Sequence, residues 1–99
     1  MAHVVVWSPR AIDDVDSIAA YIAEDSEAYA ASVVRAILAK ASRLSEFPYI
    51  GRVVPEFDDE AIREVFAYSY RIIYRIEDNE ITIAAVIHGK QHIDMAVRP

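Results

Sequence analysis

Tyr70-Arg71-Ile72-Ile73-Tyr74-Arg75-Ile76-Glu77-Asp78-Asn79-Glu80-Ile81-Thr82-Ile83-Ala84-Ala85-Val86-Ile87-His88 is the stretch that decides the fold. Two runs rich in β-branched and aromatic residues flank an acidic, Asn-containing tetrad, the pattern of a β-hairpin. Glu77-Asp78-Asn79-Glu80 is the turn, and a two-residue or a four-residue loop there sets Ile76 opposite Ile81. Strand side chains alternate between faces. One face is expected to carry Tyr70, Ile72, Tyr74, Ile76, Ile81, Ile83, Ala85 and Ile87 and to pack on the rest of the protein. The other would carry Arg71, Ile73, Arg75, Thr82, Ala84, Val86 and His88 and look outward.

Upstream of the hairpin, Ile62 to Tyr68 reads as one more strand, and residues 47–61 read as a loop with Pro48, Gly51, Pro55 and the acidic run Asp58-Asp59-Glu60. Two helices precede that loop. Ser8 is a good N-cap with Pro9 at the first helical position, and apolar residues at Ala11, Ile12, Val15, Ile18, Ala19 and Ile22 follow helical spacing over Pro9–Glu24. Ser26 caps a second stripe, Ala30, Val33, Val34, Ile37, Leu38, Ala41 and Leu44, over Glu27–Glu46, which stops before Phe47-Pro48. The short link between them predicts an antiparallel helix hairpin. His3–Trp7 opens the chain as a strand. The sum is β-α-α-β-β-β, an α+β domain spanning 1–99, with the helix hairpin packed on a small, twisted, mainly antiparallel sheet.

Composition bounds the function. The chain has 99 residues, 55% hydrophobic and 26% charged, which is one globular domain. Its net charge is −6, with −3 in each half, so it has no basic tail and is not expected to bind nucleic acid on its own. It has no cysteine, which excludes disulfides, thiolate zinc sites and a cysteine nucleophile. No apolar run approaches the roughly 18–20 residues of a membrane span, and the first residues lack the form of a signal peptide, so a cytoplasmic protein is expected. His3, His88 and His92 show no metal-ligand spacing, and no cofactor or metal is expected.

The residues resemble those of the ParE/RelE toxin superfamily of bacterial type II toxin–antitoxin modules, over nearly the whole chain. The resemblance rests on Trp7-Ser8 leading into Ala11-x-x-Asp14, then on Ile18-x-x-Tyr21-Ile22-Ala23 and Leu44-x-x-Phe47-Pro48-x-x-Gly51-Arg52. It continues through Arg63-Glu64-Val65, Tyr70-Arg71-Ile72-Ile73-Tyr74-Arg75-Ile76 and Val86-Ile87-His88-Gly89-Lys90. Phe-Pro-x-x-Gly-Arg and Tyr-Arg-Ile-Ile-Tyr look like the ParE branch. The resemblance implies a stress- or plasmid-maintenance toxin that inhibits DNA gyrase. A cognate ParD-like antitoxin with a ribbon-helix-helix domain would neutralise it in a hetero-oligomer.

The RelE branch, which cleaves mRNA on the ribosome, is the alternative. For that chemistry Glu56, Arg71 and His88 would serve as base, phosphate clamp and acid. The position after Lys90, basic in RelE, is Gln91 here, and no tyrosine follows Tyr74. Without a nuclease the same face reads as an interface. Arg71 and Arg75 would form a socket for antitoxin carboxylates, with Arg52, Arg63, His88 and Lys90 as further contacts to antitoxin or target. Segment His88–Pro99 is the candidate contact with gyrase. Trp7 is expected as a core or sheet-edge aromatic, Tyr21 and Tyr74 as core aromatics with hydroxyls at the rim, and Gly51 as the supplier of a turn conformation.

Overall fold

Capping serines set the start of both helices. In the computed structural model, which describes residues 2–93, Ser8 holds extended backbone angles and its hydroxyl accepts from the Ala11 N–H at 3.0 Å. Ser26 does the same for the Tyr29 N–H at 3.1 Å. Helix α1 therefore runs Pro9–Ala23 and α2 runs Glu27–Arg43. Glu27 in the first turn of α2 and Lys40 and Arg43 in its last suit the helix dipole. The chain leaves α2 three residues earlier than the pattern predicts, through turns at 44–46.

The strands are β1 (Val4–Trp7), β2 (Arg52–Val53), β3 (Ile62–Ala67), β4 (Tyr70–Glu77) and β5 (Glu80–His88). They form one sheet in the order β1-β5-β4-β3-β2, antiparallel except for the parallel β1–β5 pair. Ile76 faces Ile81 across a two-residue turn, as the sequence predicts, and Asp78 takes the left-handed φ of 53° that Asp tolerates. Strand β2 lies inside the segment read as a loop. Two residues are too few for a periodicity, and its partner Glu64 lies 12 positions away.

The hairpin contains one irregularity that re-sorts its side chains. Ile73 pairs with Ala85 but Tyr74 pairs with Ile83, so Ala84 is an extra residue in β5. Such a bulge reverses the in–out alternation beyond it. Ile81 and Ile83 pack toward the helices as expected, but beyond the bulge it is Val86 that does so. Ala85 and Ile87 turn to the opposite face, correcting the expectation that placed them on the helix side. The bulge is held from α1: the Ser8 N–H donates to the Ile83 carbonyl at 3.0 Å, the Ser8 hydroxyl to the Ala84 carbonyl at 3.1 Å, and the Val86 N–H to Asp14 Oδ2 at 2.9 Å.

Two cores result. The larger, between helices and sheet, holds Val33, Ile37, Leu44, Ile72, Tyr74, Ile81, Ile83 and Val86, with Trp7 packed against it as expected. The smaller lies on the other face, where Val54, Phe57 and Ile93 cover Ile62, Ile73, Ala85 and Ile87. The second face is therefore roofed by irregular chain and does not lie bare. Tyr21 is not a core aromatic; it is 73% exposed and lies at the rim of a groove beside Tyr70 and His88.

Candidate functional site

The second face of the sheet sets the site. Arg71 lies opposite Phe66 on β3 and Ile87 on β5, and its side chain points away from the helices into the small core. It is 4% exposed. A guanidinium this buried requires partners for its charge and donors. Nε donates to Glu64 Oε1 at 2.6 Å, Nη2 to Glu56 Oε1 and Nη1 to Glu56 Oε2, both at 2.8 Å, and Nη1 also donates to the Gln91 carbonyl at 2.9 Å. Glu64, itself 1% exposed, offers its second oxygen to Arg52 Nε at 2.6 Å. The chain of charge is Glu56–Arg71–Glu64–Arg52, running from the loop before β3, across two strands, to β2.

This network fixes protonation states. The doubly bonded Arg71 guanidinium holds the Glu56 carboxyl down at about 2, from an ordinary 4.5, against the opposing effect of burial. The two glutamates raise the Arg71 guanidinium further above neutrality in turn. The network also docks the last described segment. Glu56 Oε2 accepts from the Ile93 N–H at 3.3 Å and lies 3.5 Å from His92 Nδ1. Pro55, Glu56, Arg71, Lys90, Gln91 and His92 line an open cleft there.

The structure brings Glu56 and Arg71 together, but His88, expected on the Arg71 face, is not with them. The bulge at Ala84 turns His88 to the other side, where its ring meets Tyr70 edge-on at 5.8 Å and lines a groove with Arg10, Asp14 and Tyr21. The expected open socket of Arg71 and Arg75 is also corrected. Arg71 is enclosed by carboxylates of its own chain, while Arg75 sits near the surface with Glu77 at 3.3 Å. Arg63 anchors the loop by donating to the Glu60 and Gly51 carbonyls at 2.9 and 3.0 Å and lies over Tyr49. Lys90 is exposed beside the cleft. Residues 94–99 of the proposed gyrase-contacting segment lie outside the described residues.

Gly51 acts through space, not through a special turn, since no glycine has a positive φ. A Cβ there would stand 2.5 Å from the Glu64 carbonyl oxygen and 2.6 Å from the Tyr74 hydroxyl. That hydroxyl accepts from the Gly51 N–H at 3.1 Å and donates to the Pro48 carbonyl at 2.7 Å. The Pro48-x-x-Gly51 motif and Tyr74 of the hairpin are therefore one device, which lays β2 against β3.

The burial of Glu64 and the groove beside Lys40 and Arg43 escape the sequence reading. Glu64 is an acid in phase with Ile62 on a strand, and that mismatch is the signal of a buried partner. Lys40 and Arg43, in the last turn of α2, line a groove with Arg52, Val65 and Phe66.

The family model described as the ParE toxin of the type II toxin–antitoxin system, parDE, matches residues 5–93. The chain belongs to the ParE toxin family. Its motif residues now have structural roles: Ser8 and Asp14 hold the β5 bulge, Gly51 and Tyr74 seat β2, and Arg52, Glu64 and Arg71 form the charge network. Among solved structures, the chromosomal ParDE system of P. aeruginosa is similar, with a TM-score of 0.72 and 19% identity over 88% of this chain and 96% of that one. The RelBE2 toxin–antitoxin complex of Mycobacterium tuberculosis is similar as well, with a TM-score of 0.64 and 20% identity over 89% of this chain and 99% of that one. These likenesses show the shared α+β fold. No curated protein matches in sequence. No helix among the described residues is long and apolar enough to cross a membrane.

Proposed function

We propose that this ParE-family toxin inhibits DNA gyrase, and that a cognate ParD-type, ribbon-helix-helix antitoxin holds it inactive in a hetero-oligomer in the cytoplasm. The observation that carries the choice of inhibitor over nuclease is the saturation of Arg71. RNA cleavage needs a base for the 2′-hydroxyl, an acid for the leaving oxygen and a cation for the phosphorane. Here the candidate base, Glu56, is tied by both oxygens to Arg71 and held at about 2, which makes it a poor proton acceptor at neutral pH. The candidate cation is committed to two carboxylates, and the candidate acid, His88, faces the other side of the sheet. Arg52, Arg63, Arg75, His88 and Lys90 remain as contacts to antitoxin or target, and Arg71 acts from behind them by holding Arg52 and the 89–93 segment in place.

Induced expression without antitoxin tests the reading. Loss of negative supercoiling and double-strand DNA breaks, with mRNA intact, is the expected result. Rapid mRNA cleavage before any DNA damage would establish the ribonuclease instead.

A further inference from the structure

A cationic, apolar groove runs along the sheet edge opposite β1. Strand β2 has only two residues, so it covers β3 at Arg63 and Glu64 and leaves the edge open from Val65 onward. Antiparallel alternation turns the N–H and C=O of Phe66 toward that open edge. The groove beside it has a volume of about 410 Å³ and lies between the end of α2 and the β2–β3 edge. Its apolar lining is Ile50, Val65 and Phe66, with Ile50 57% and Phe66 40% exposed.

The charge around the groove that is not compensated within the lining is positive. Lys40 and Arg43 from α2 and Arg52 from β2 line it, in a protein whose net charge is −6. The acid in the lining is Glu64, buried and already bonded by both oxygens to Arg71 and Arg52. Among the described residues neither Lys40 nor Arg43 has an ion-pair partner, and the Arg43 guanidinium lies 5.7 Å from the centre of the exposed Phe47 ring. Positive charge gathered on an overall acidic chain, beside apolar surface and a free strand edge, calls for complementary negative charge from outside. A nucleic acid would use the cations but neither the apolar floor nor the strand edge.

We infer that this groove takes an extended acidic segment of a partner protein. One apolar side chain of the segment sits between Ile50 and Phe66, its backbone pairs with Phe66, and its carboxylates meet Lys40, Arg43 and Arg52. The inference relies on the antitoxin reading only for the source of that segment.

The test pairs the toxin with the product of the adjacent gene and measures affinity at several salt concentrations. Lys40→Glu combined with Arg43→Glu is expected to weaken binding at least about tenfold and to flatten its salt dependence, as loss of direct charge contacts does. Arg35→Glu, elsewhere on α2, should stay within twofold. All three side chains are exposed, and Ile50→Asp offers an independent probe of the apolar seat. Unchanged affinity in both groove variants overturns the inference and leaves the antitoxin reading standing. If the adjacent product does not bind the unaltered toxin, that reading fails, and the groove is tested alone. An acetylated heptapeptide alternating Glu and Leu is then titrated against the isotope-labelled protein. Amide shifts at 50–52 and 65–67 that vanish in the Lys40→Glu/Arg43→Glu protein support the inference. No shifts there, or larger shifts there with a DNA duplex, overturn it.

Discussion

The two faces of the central sheet are closed in different ways. Toward the helices, Ile72, Ile81, Ile83 and Val86 meet Val33, Ile37 and Leu44 in a mainly apolar contact, with the Tyr74 hydroxyl bonded to Pro48 and with Ser8 and Asp14 bonded to β5. Away from the helices, Ile62, Ile73, Ala85 and Ile87 are roofed by Val54, Phe57 and Ile93, and an internal ion-pair network fills the rest. The first face is held by shape and hydrophobic burial, which tolerate small losses. The second relies on charges that are costly to bury and more costly to leave unmatched. Regular elements can cover a face with apolar side chains alone. A short irregular cover cannot, and polar bonds finish the seal.

That contrast predicts unequal responses to mutation. The largest is Arg71→Ala, which leaves two carboxylates facing each other under cover and should cost about 3–5 kcal/mol in urea unfolding. Ile37→Val on the helix side should cost only about 0.5–1.5 kcal/mol, and equal losses from the two would break the contrast. Gly51→Ala comes next, because its methyl group meets backbone at 2.5 Å; roughly 1–3 kcal/mol is expected, with β2 displaced in amide exchange.

Acid should act on the second face through Glu56. Its folded carboxyl titrates at about 2 against 4.5 unfolded, so its stabilisation is complete above 4.5 and fades as pH falls toward 2. On the order of 2 kcal/mol should be lost over that window, and Glu56→Gln should remove the dependence. Unfolding curves from pH 6 to pH 2 check it. The smallest effect is Asp14→Ala, expected to cost about 1 kcal/mol by freeing the Val86 N–H. Faster exchange of that amide, with the helix-side core intact, would confirm the role.

The helix face was legible because its signals are periodic. Ser8 and Ser26 as caps, the 3.6-residue stripes and the Ile76–Ile81 register all appear in the structure. What the sequence hid was non-periodic. The extra residue at Ala84 has no local signature, since Ala84-Ala85-Val86 is apolar on either reading, yet it moves Val86, Ile87 and His88 to opposite faces. The partnership of Glu56, Glu64 and Arg71 spans 15 positions and is made only by tertiary packing. A socket of arginines and a sealed ion pair look alike in one dimension.

The way α1 grips the last half of β5 has one more consequence. Strand β1 ends its pairing at Ile83, and the stretch beyond would otherwise present naked peptide groups to a second molecule. Ser8 and Asp14 occupy the Ala84 carbonyl and the Val86 amide there. With those two groups already bonded inside the chain, this part of the β5 edge offers fewer open positions to an incoming strand.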